Sequence, residues 1–258
     1  MILAIDTATH YAGLALYDGQ RLWCEEIWWT RGQHTAETLP RVDRALRDGG
    51  LSPAHLKGVA VTLGPGSFSG LRSGLSLAKG MAVANDLPIV GVPTLDVTAY
   101  PHRWQSLPVC AVLQAGRGRI CWGFYAWQDG RWLPSGPYRL GEVAALSAEI
   151  SLPTLVVGDL EPETVSGLRA GAGPRAVLAS PALALRRAGF LAEIGWERLA
   201  RGDQDDPVTL SPIYLHEPAV PSKGLTLGGP HLGPQEHATS RTRDEAGVDE
   251  YATGAITS

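Results

Sequence analysis

The sequence holds only three cysteines, Cys24, Cys110 and Cys121, far apart and without C-x-x-C spacing. That excludes a zinc ribbon or dithiol redox motif, and scattered thiols fit a reduced, cytoplasmic protein. The seven histidines include no H-x-x-x-H or H-E-x-x-H pair, so no such metal motif is present. There is no basic block: 22 Lys and Arg against 26 Asp and Glu leave a net charge of −4. A general nucleic-acid grip is excluded, and any role near RNA passes through a partner. No stretch reaches the ~18 consecutive apolar residues of a membrane span. The opening residues, MILAIDTATHYAGLAL, lack a basic region and place Asp6 inside the first apolar run, unlike a signal peptide.

What is there is a hydrophobic fraction of 44% over 258 residues, enough for one large core or two modest ones. Residues 1–7, 12–17 and 21–29 read as three strands, with Asp18-Gly19 as a hairpin turn. A helix follows over 34–48, with Leu39, Val42 and Leu46 on its apolar face, His34 at its start and Gly49-Gly50 at its end. A strand at 58–63, a helix to about Asn85, a strand at 88–92 and a helix at 94–100 complete the first half. The second half opens the same way, with strands at 108–114, 119–128 and 131–134 and a turn at Asp129-Gly130. Helices at 141–150 and 161–170, strands at 154–158 and 175–178, and a long helix over 183–201 follow. The aromatics Trp122, Phe124, Tyr125 and Trp127 read as core rather than as a base-stacking platform. The repeated order predicts a duplicated α/β fold with a cleft between lobes, 1–103 and 104–218, and a disordered tail over 219–258.

The run VTLGPGSFSGLRSGLSLAKG, residues 61–80, is a strand, a glycine-rich corner and a helix. It is not a Walker A loop, since no Lys follows Gly70, and not G-x-G-x-x-G, since Ser69 replaces the third glycine. Gly64, Gly66 and Ser67 remain anion-binding candidates, with Ser67 alternatively a simple helix cap. Ser67 and Ser69 lack a G-x-S-x-G elbow, so serine hydrolysis finds no support. Within the helix, Gly70 and Gly74, Ser69 and Ser73, and Ser76 and Gly80 recur at a spacing of four. An interior glycine costs ~1 kcal/mol relative to alanine, which makes sense where another backbone must come close. That neighbour is the protein's own sheet or a partner's helix. Because Leu71, Leu75, Ala78 and Ala82 already supply a face for the sheet, the small face points to a partner. A bulky residue at Gly74 or Ser73 would then break association and leave the monomer folded. Asp6 is a strand-end turn former or a contact for a hydrated cation.

The segments ILAIDTA, HTAETLPRVDRAL, GPGSFSGLRSGLSLAKGMA, VGVPTLD and SPIYLHEP together carry a family likeness. On them the chain resembles the TsaB (YeaZ) family, the bacterial partner subunit of tRNA threonylcarbamoyladenosine (t6A) biosynthesis. The resemblance implies an actin-like (ASKHA) fold of two βββαβα lobes and a role that is not itself catalytic. It implies a heterodimer with TsaD, which transfers the threonylcarbamoyl group to tRNA, joined by the ATPase TsaE, with TsaC supplying threonylcarbamoyl-adenylate. The contact would use the first two helices, and isolated copies would form homodimers through the same surface. The expected contact residues are Glu37, Arg41, Arg44, Ser69, Gly70, Arg72, Ser73, Gly74 and Leu77. No cofactor is required by the chain alone, and a nucleotide at the partner interface stays open.

TsaD-like members carry a metal-binding His pair where this chain has Thr94 and Thr98, poor ligands for a transition metal. The competing expectation is an actin-like nucleotide-dependent transferase or kinase that uses Asp6 and the 64–70 corner. Two departures from the family pattern stand out: Gln114-Ala115-Gly116 in place of Asp-Ala-Arg, and His216 in place of Arg.

Overall fold

A computed structural model of the chain describes residues 1–215. The expected disordered tail and His216 lie outside the described residues. Strands β1 (Ile2–Asp6), β2 (Tyr11–Tyr17) and β3 (Leu22–Trp29) form an antiparallel meander, followed by α1 (His34–Asp48). Then come β4 (Gly58–Gly64), α2 (Phe68–Ala84), β5 (Ile89–Pro93) and α3 (Thr94–Ala99). β1 is buried along its whole length, as an apolar run between two neighbours must be. It pairs with β2 on one side and in parallel with β4 on the other, giving the sheet order β3-β2-β1-β4-β5.

The second half repeats the plan. β6 (Val109–Gln114), β7 (Ile120–Gln128) and β8 (Arg131–Pro134) form the meander, with β9 (Arg139–Gly141) also on β7. α4 (Val143–Glu149), β10 (Thr154–Gly158), α5 (Pro162–Gly171) and β11 (Ala176–Leu178) follow, in sheet order β11-β10-β6-β7-β8. The two orders are the same path read from opposite ends, so the duplication expected from element order is real in three dimensions. This is the actin-like α/β architecture.

Three details differ from expectation. The late helix is broken into α6 (Pro181–Ala184) and α7 (Ala188–Ala200), with Leu185 and Arg187 in extended conformation between them. Leu39 does not face the core: α1 buries His34, Thr38, Val42, Ala45 and Leu46, and Leu39 is 52% exposed. The division at residue 104 is also crossed. α7 returns to the first sheet, where Ala188, Leu191 and Ala192 pack with Ile2, Ala4, Ala15 and Ala60. In exchange, Leu95 and Ala99 of α3 join Val109, Ala111 and Leu113 in the second core. The closing segment stays with the first sheet too, since Ile213 N–H donates to the Leu63 carbonyl at 2.8 Å.

Candidate functional site

The residues singled out in the sequence meet where β1, the corner after β4, α1 and α2 converge. Ser67 caps α2 as expected, accepting from the Gly70 N–H at 3.3 Å. Leu71, Leu75, Ala78 and Ala82 are buried on the sheet side, also as expected.

The neighbouring glycines are corrected. A Cβ on Gly70 would stand 2.2 Å from the Thr7 carbonyl oxygen and 2.9 Å from His34 Nε2. A Cβ on Gly74 would stand 2.1 Å from Thr7 Oγ1, whose hydroxyl donates to the Gly70 carbonyl at 2.8 Å. The close neighbour of these two glycines is therefore the end of the protein's own β1, not a partner helix. Gly80 differs, because a Cβ there would meet nothing within 4 Å.

The corner named as an anion-binding candidate is partly filled by the chain. The Ser67 N–H donates to the Ala8 carbonyl at 2.7 Å, and a Cβ on Gly66 would lie 2.2 Å from that same oxygen. Gly64, with φ of +108°, faces the Ile213 carbonyl oxygen at 2.7 Å from its Cβ position. The Ser67 N–H and the space beside Gly64 and Gly66 are thus taken by the chain itself, while Gly66, Phe68 and Ser69 stay exposed.

Of the remaining expected contact residues, Glu37, Arg41 and Arg44 tie α1 to β3, with the Arg44 side chain still 57% exposed. Glu37 accepts from Trp28 Nε1 at 2.9 Å, and the Arg41 guanidinium lies 4.5 Å from the Trp28 ring centre. Arg41 and Arg44 both pair with Glu26, Arg44 at 2.7 Å. Leu77 is half-buried against the first core. Ser73 holds the two helices together through its hydroxyl, 2.8 Å from that of Thr35.

What α2 leaves outside is a stripe of Ser69, Arg72, Ser76, Gly80 and Val83, one helical turn apart. Sequence reasoning missed its aromatic end. Phe68 is 56% exposed, lies 5.4 Å from the Tyr214 ring and carries the Arg72 guanidinium 3.8 Å from its centre. Arg72 Nε also donates to the Tyr214 hydroxyl at 3.2 Å. Both aromatics lie in segments that carried the family likeness, and that was the available signal.

Asp6 is neither a bare turn former nor open to a cation. Its carboxylate accepts from the Ala8 N–H and the Thr62 hydroxyl, each at 3.0 Å, and from the Arg186 guanidinium. Arg186 also donates to Thr9 Oγ1 at 3.0 Å. The break between α6 and α7 is what delivers Arg186 to this place. The two side chains of the pair are 4% and 3% exposed. Among the described residues, no group of three or more His, Cys, Asp or Glu is arranged to hold a metal. Thr94 and Thr98 are both buried, and Thr98 donates back to the Thr94 carbonyl at 2.9 Å.

His34, at the first turn of α1, is buried against Gly70, and its Nδ1 finds no hydrogen-bond partner among the described residues. Burial holds its pKa below the ordinary value. The unfolded chain therefore takes up the proton first, so stability is full above about pH 6.5 and falls as pH drops below it. Urea unfolding midpoints between about pH 7 and pH 5 should fall more steeply for the native chain than for His34→Gln. Equal slopes would show that the imidazole is hydrated.

No helix among the described residues is long and apolar enough to cross a membrane. The family model for TsaD, tRNA N6-adenosine threonylcarbamoyltransferase, matches residues 30–148. The chain is 31% identical to the Bacillus subtilis tRNA threonylcarbamoyladenosine biosynthesis protein TsaB over 160 residues, 61% of this chain and 70% of that protein. With the Escherichia coli protein of the same name it shares 35% over 127 residues, covering 48% and 54%. An uncharacterised Mycobacterium tuberculosis protein is 30% identical over 224 residues, 84% and 92% of the two chains. The solved structure of YeaZ from Pseudomonas aeruginosa superposes with a TM-score of 0.69 at 25% identity, covering 83% of this chain and 99% of that one. Sequence likeness to named TsaB proteins thus coincides with likeness of the fold over 83% of the chain, and the chain belongs to the TsaB family.

Proposed function

We propose that this protein is a non-catalytic subunit of the complex that makes t6A in tRNA, pairing with TsaD and enabling its activity together with TsaE. The observation that carries the docking face is the outer stripe of α2. Gly80 and Ser76 leave the helix backbone open to close approach, and Phe68 offers an exposed aromatic anchor at one end. The names of the relatives support a place in t6A biosynthesis. The engagement of Asp6 by Arg186 supports a supporting rather than a catalytic role, because the carboxylate that a nucleotide-dependent transferase would use is already bonded. On its own the protein uses the same face to pair two copies. It works in the cytoplasm, needs no cofactor by itself and, in this role, reaches tRNA only through its partner.

Sedimentation of the chain with its cognate TsaD should show a heterodimer. Gly80→Leu adds bulk where the monomer has open space, so the fold is kept while the affinity falls at least about tenfold. Circular dichroism checks the fold. Absence of a heterodimer, or one untouched by both Gly80→Leu and Phe68→Glu, overturns the proposal, as does robust ATP turnover by the chain alone.

A further inference from the structure

A cavity of about 480 Å³ lies between the β7–β8 hairpin, the segment after α3 and the C-terminal half of α7. That size falls within the range of small-molecule sites. None of its lining residues belongs to α1, α2 or the corner.

Its aromatic wall contradicts the expectation that the β7 aromatics are all core. Trp122 and Tyr125 are buried, but Trp127 is 45% exposed and its neighbour Trp104 is 76% exposed. The two indoles lie 5.3 Å apart, and Trp127 also contacts Trp132 at 5.9 Å. Trp127 is fixed in place because its Nε1 donates to the Arg103 carbonyl at 2.8 Å. Large indoles held out in water next to one another form an apolar platform without a cover. Deeper in, Trp132 Nε1 is a buried donor with no acceptor among the described residues.

The charges around this platform are unevenly matched. Arg198 is bonded to both oxygens of Asp203 at 2.8 Å, and Arg103 pairs with Glu193 at 3.5 Å. Glu197 accepts from the Tyr100 hydroxyl at 2.7 Å, and Asp96 accepts from the Tyr125 hydroxyl at 2.8 Å. Each of these carboxylates already has donors. Among the described residues the Arg131 and Arg201 side chains make no hydrogen bond or ion pair, although both lie within electrostatic range of Asp203. Asp96 and Glu197 keep their charge, since their partners there are hydroxyls, and Arg131 and Arg201 are the lining guanidinium groups left for a ligand, their fork geometry suited to phosphate.

We propose that this cavity binds a nucleotide unit, its base stacked on the Trp104 and Trp127 indoles and its phosphate held by Arg131 and Arg201. Stacking on aromatic side chains beside arginine is the way unpaired bases are held, and it tolerates any base. This site goes beyond the partner-docking role and rests on none of its residues.

The test is titration of the full chain with adenosine monophosphate and, separately, with a short single-stranded oligoadenylate, followed by tryptophan fluorescence. Saturable quenching is expected, weakened at least about tenfold by Trp104→Ala and by Arg201→Glu. Both positions are exposed, so the fold should be unaffected, and circular dichroism verifies this. Equal affinity for both probes identifies a free nucleotide as the ligand. Preference for the oligonucleotide, with affinity falling as salt rises, identifies a nucleic-acid strand. No saturable binding of either probe, or binding indifferent to both substitutions, overturns the proposal.

Discussion

Arg186→Met is expected to lower the folding free energy by about 3–5 kcal/mol, the largest single-site effect in the molecule. The wild-type guanidinium is enclosed with the Asp6 carboxylate at the end of β1, and removing it leaves a buried anion with only the Ala8 N–H and the Thr62 hydroxyl. Neutralising the anion as well should restore much of the loss. The double variant Asp6→Asn, Arg186→Met keeps acceptors for both remaining donors and leaves Asp159, which also feels the Arg186 charge, as the nearby carboxylate. Denaturant midpoints of the two single variants and the double variant form a cycle that measures the coupling. A loss under about 1 kcal/mol for Arg186→Met would place the pair among hydrated surface bridges and refute the enclosed geometry.

Gly74→Ala should destabilise the monomer by about 1–3 kcal/mol, although alanine is the better helix former. The new methyl would collide with Thr7 Oγ1 and force the hydroxyl off the Gly70 carbonyl. Thr7→Ala in the same chain should recover part of the loss, since the nearest atoms to the added methyl all belong to Thr7. Gly80→Ala on the same helix is the control, and there the gain should approach ~1 kcal/mol because the space is open. Thermal unfolding of the three variants distinguishes the cases. If Gly74→Ala were neutral and only association suffered, the sequence-based expectation of a partner at that glycine would stand after all.

The contrast between Gly74 and Gly80 shows how far the sequence could be read. Spacing revealed that α2 carries a face of small residues, but spacing is the same whether the neighbour lies in the same chain or another. Only the position of Thr7, sixty-odd residues away and brought there by β1–β4 pairing, decides between them. Strand and helix positions were largely legible because burial on both sides of β1, period-3.6 patterning in α1 and the Asp-Gly turns are local signals. The break at 185–187 was not legible. Leu183 to Arg201 is helix-compatible sequence, and the ion pair with Asp6 that accompanies the break is visible only after folding. Leu39 was assigned to the core for a related reason, since a three-residue offset fits helical periodicity nearly as well as the face actually used. The likeness of the corner to a phosphate loop was real in composition. In the fold the Ser67 amide is taken by the Ala8 carbonyl, and Ala8 and Ile213 fill the space beside Gly66 and Gly64.

The exchange of α3 and α7 between the two sheets bears on whether the lobes are separable. A chain ended at residue 103 would keep all five strands of its sheet yet lose the helix that covers Ile2, Ala4, Ala15 and Ala60. A chain begun at residue 104 would lose Leu95 and Ala99 from the heart of its own core. Although the architecture is a duplication, neither copy is a cassette that can be cut out and swapped. Each half is finished by the other, so gene truncation or domain grafting at the midpoint would sever both cores at once.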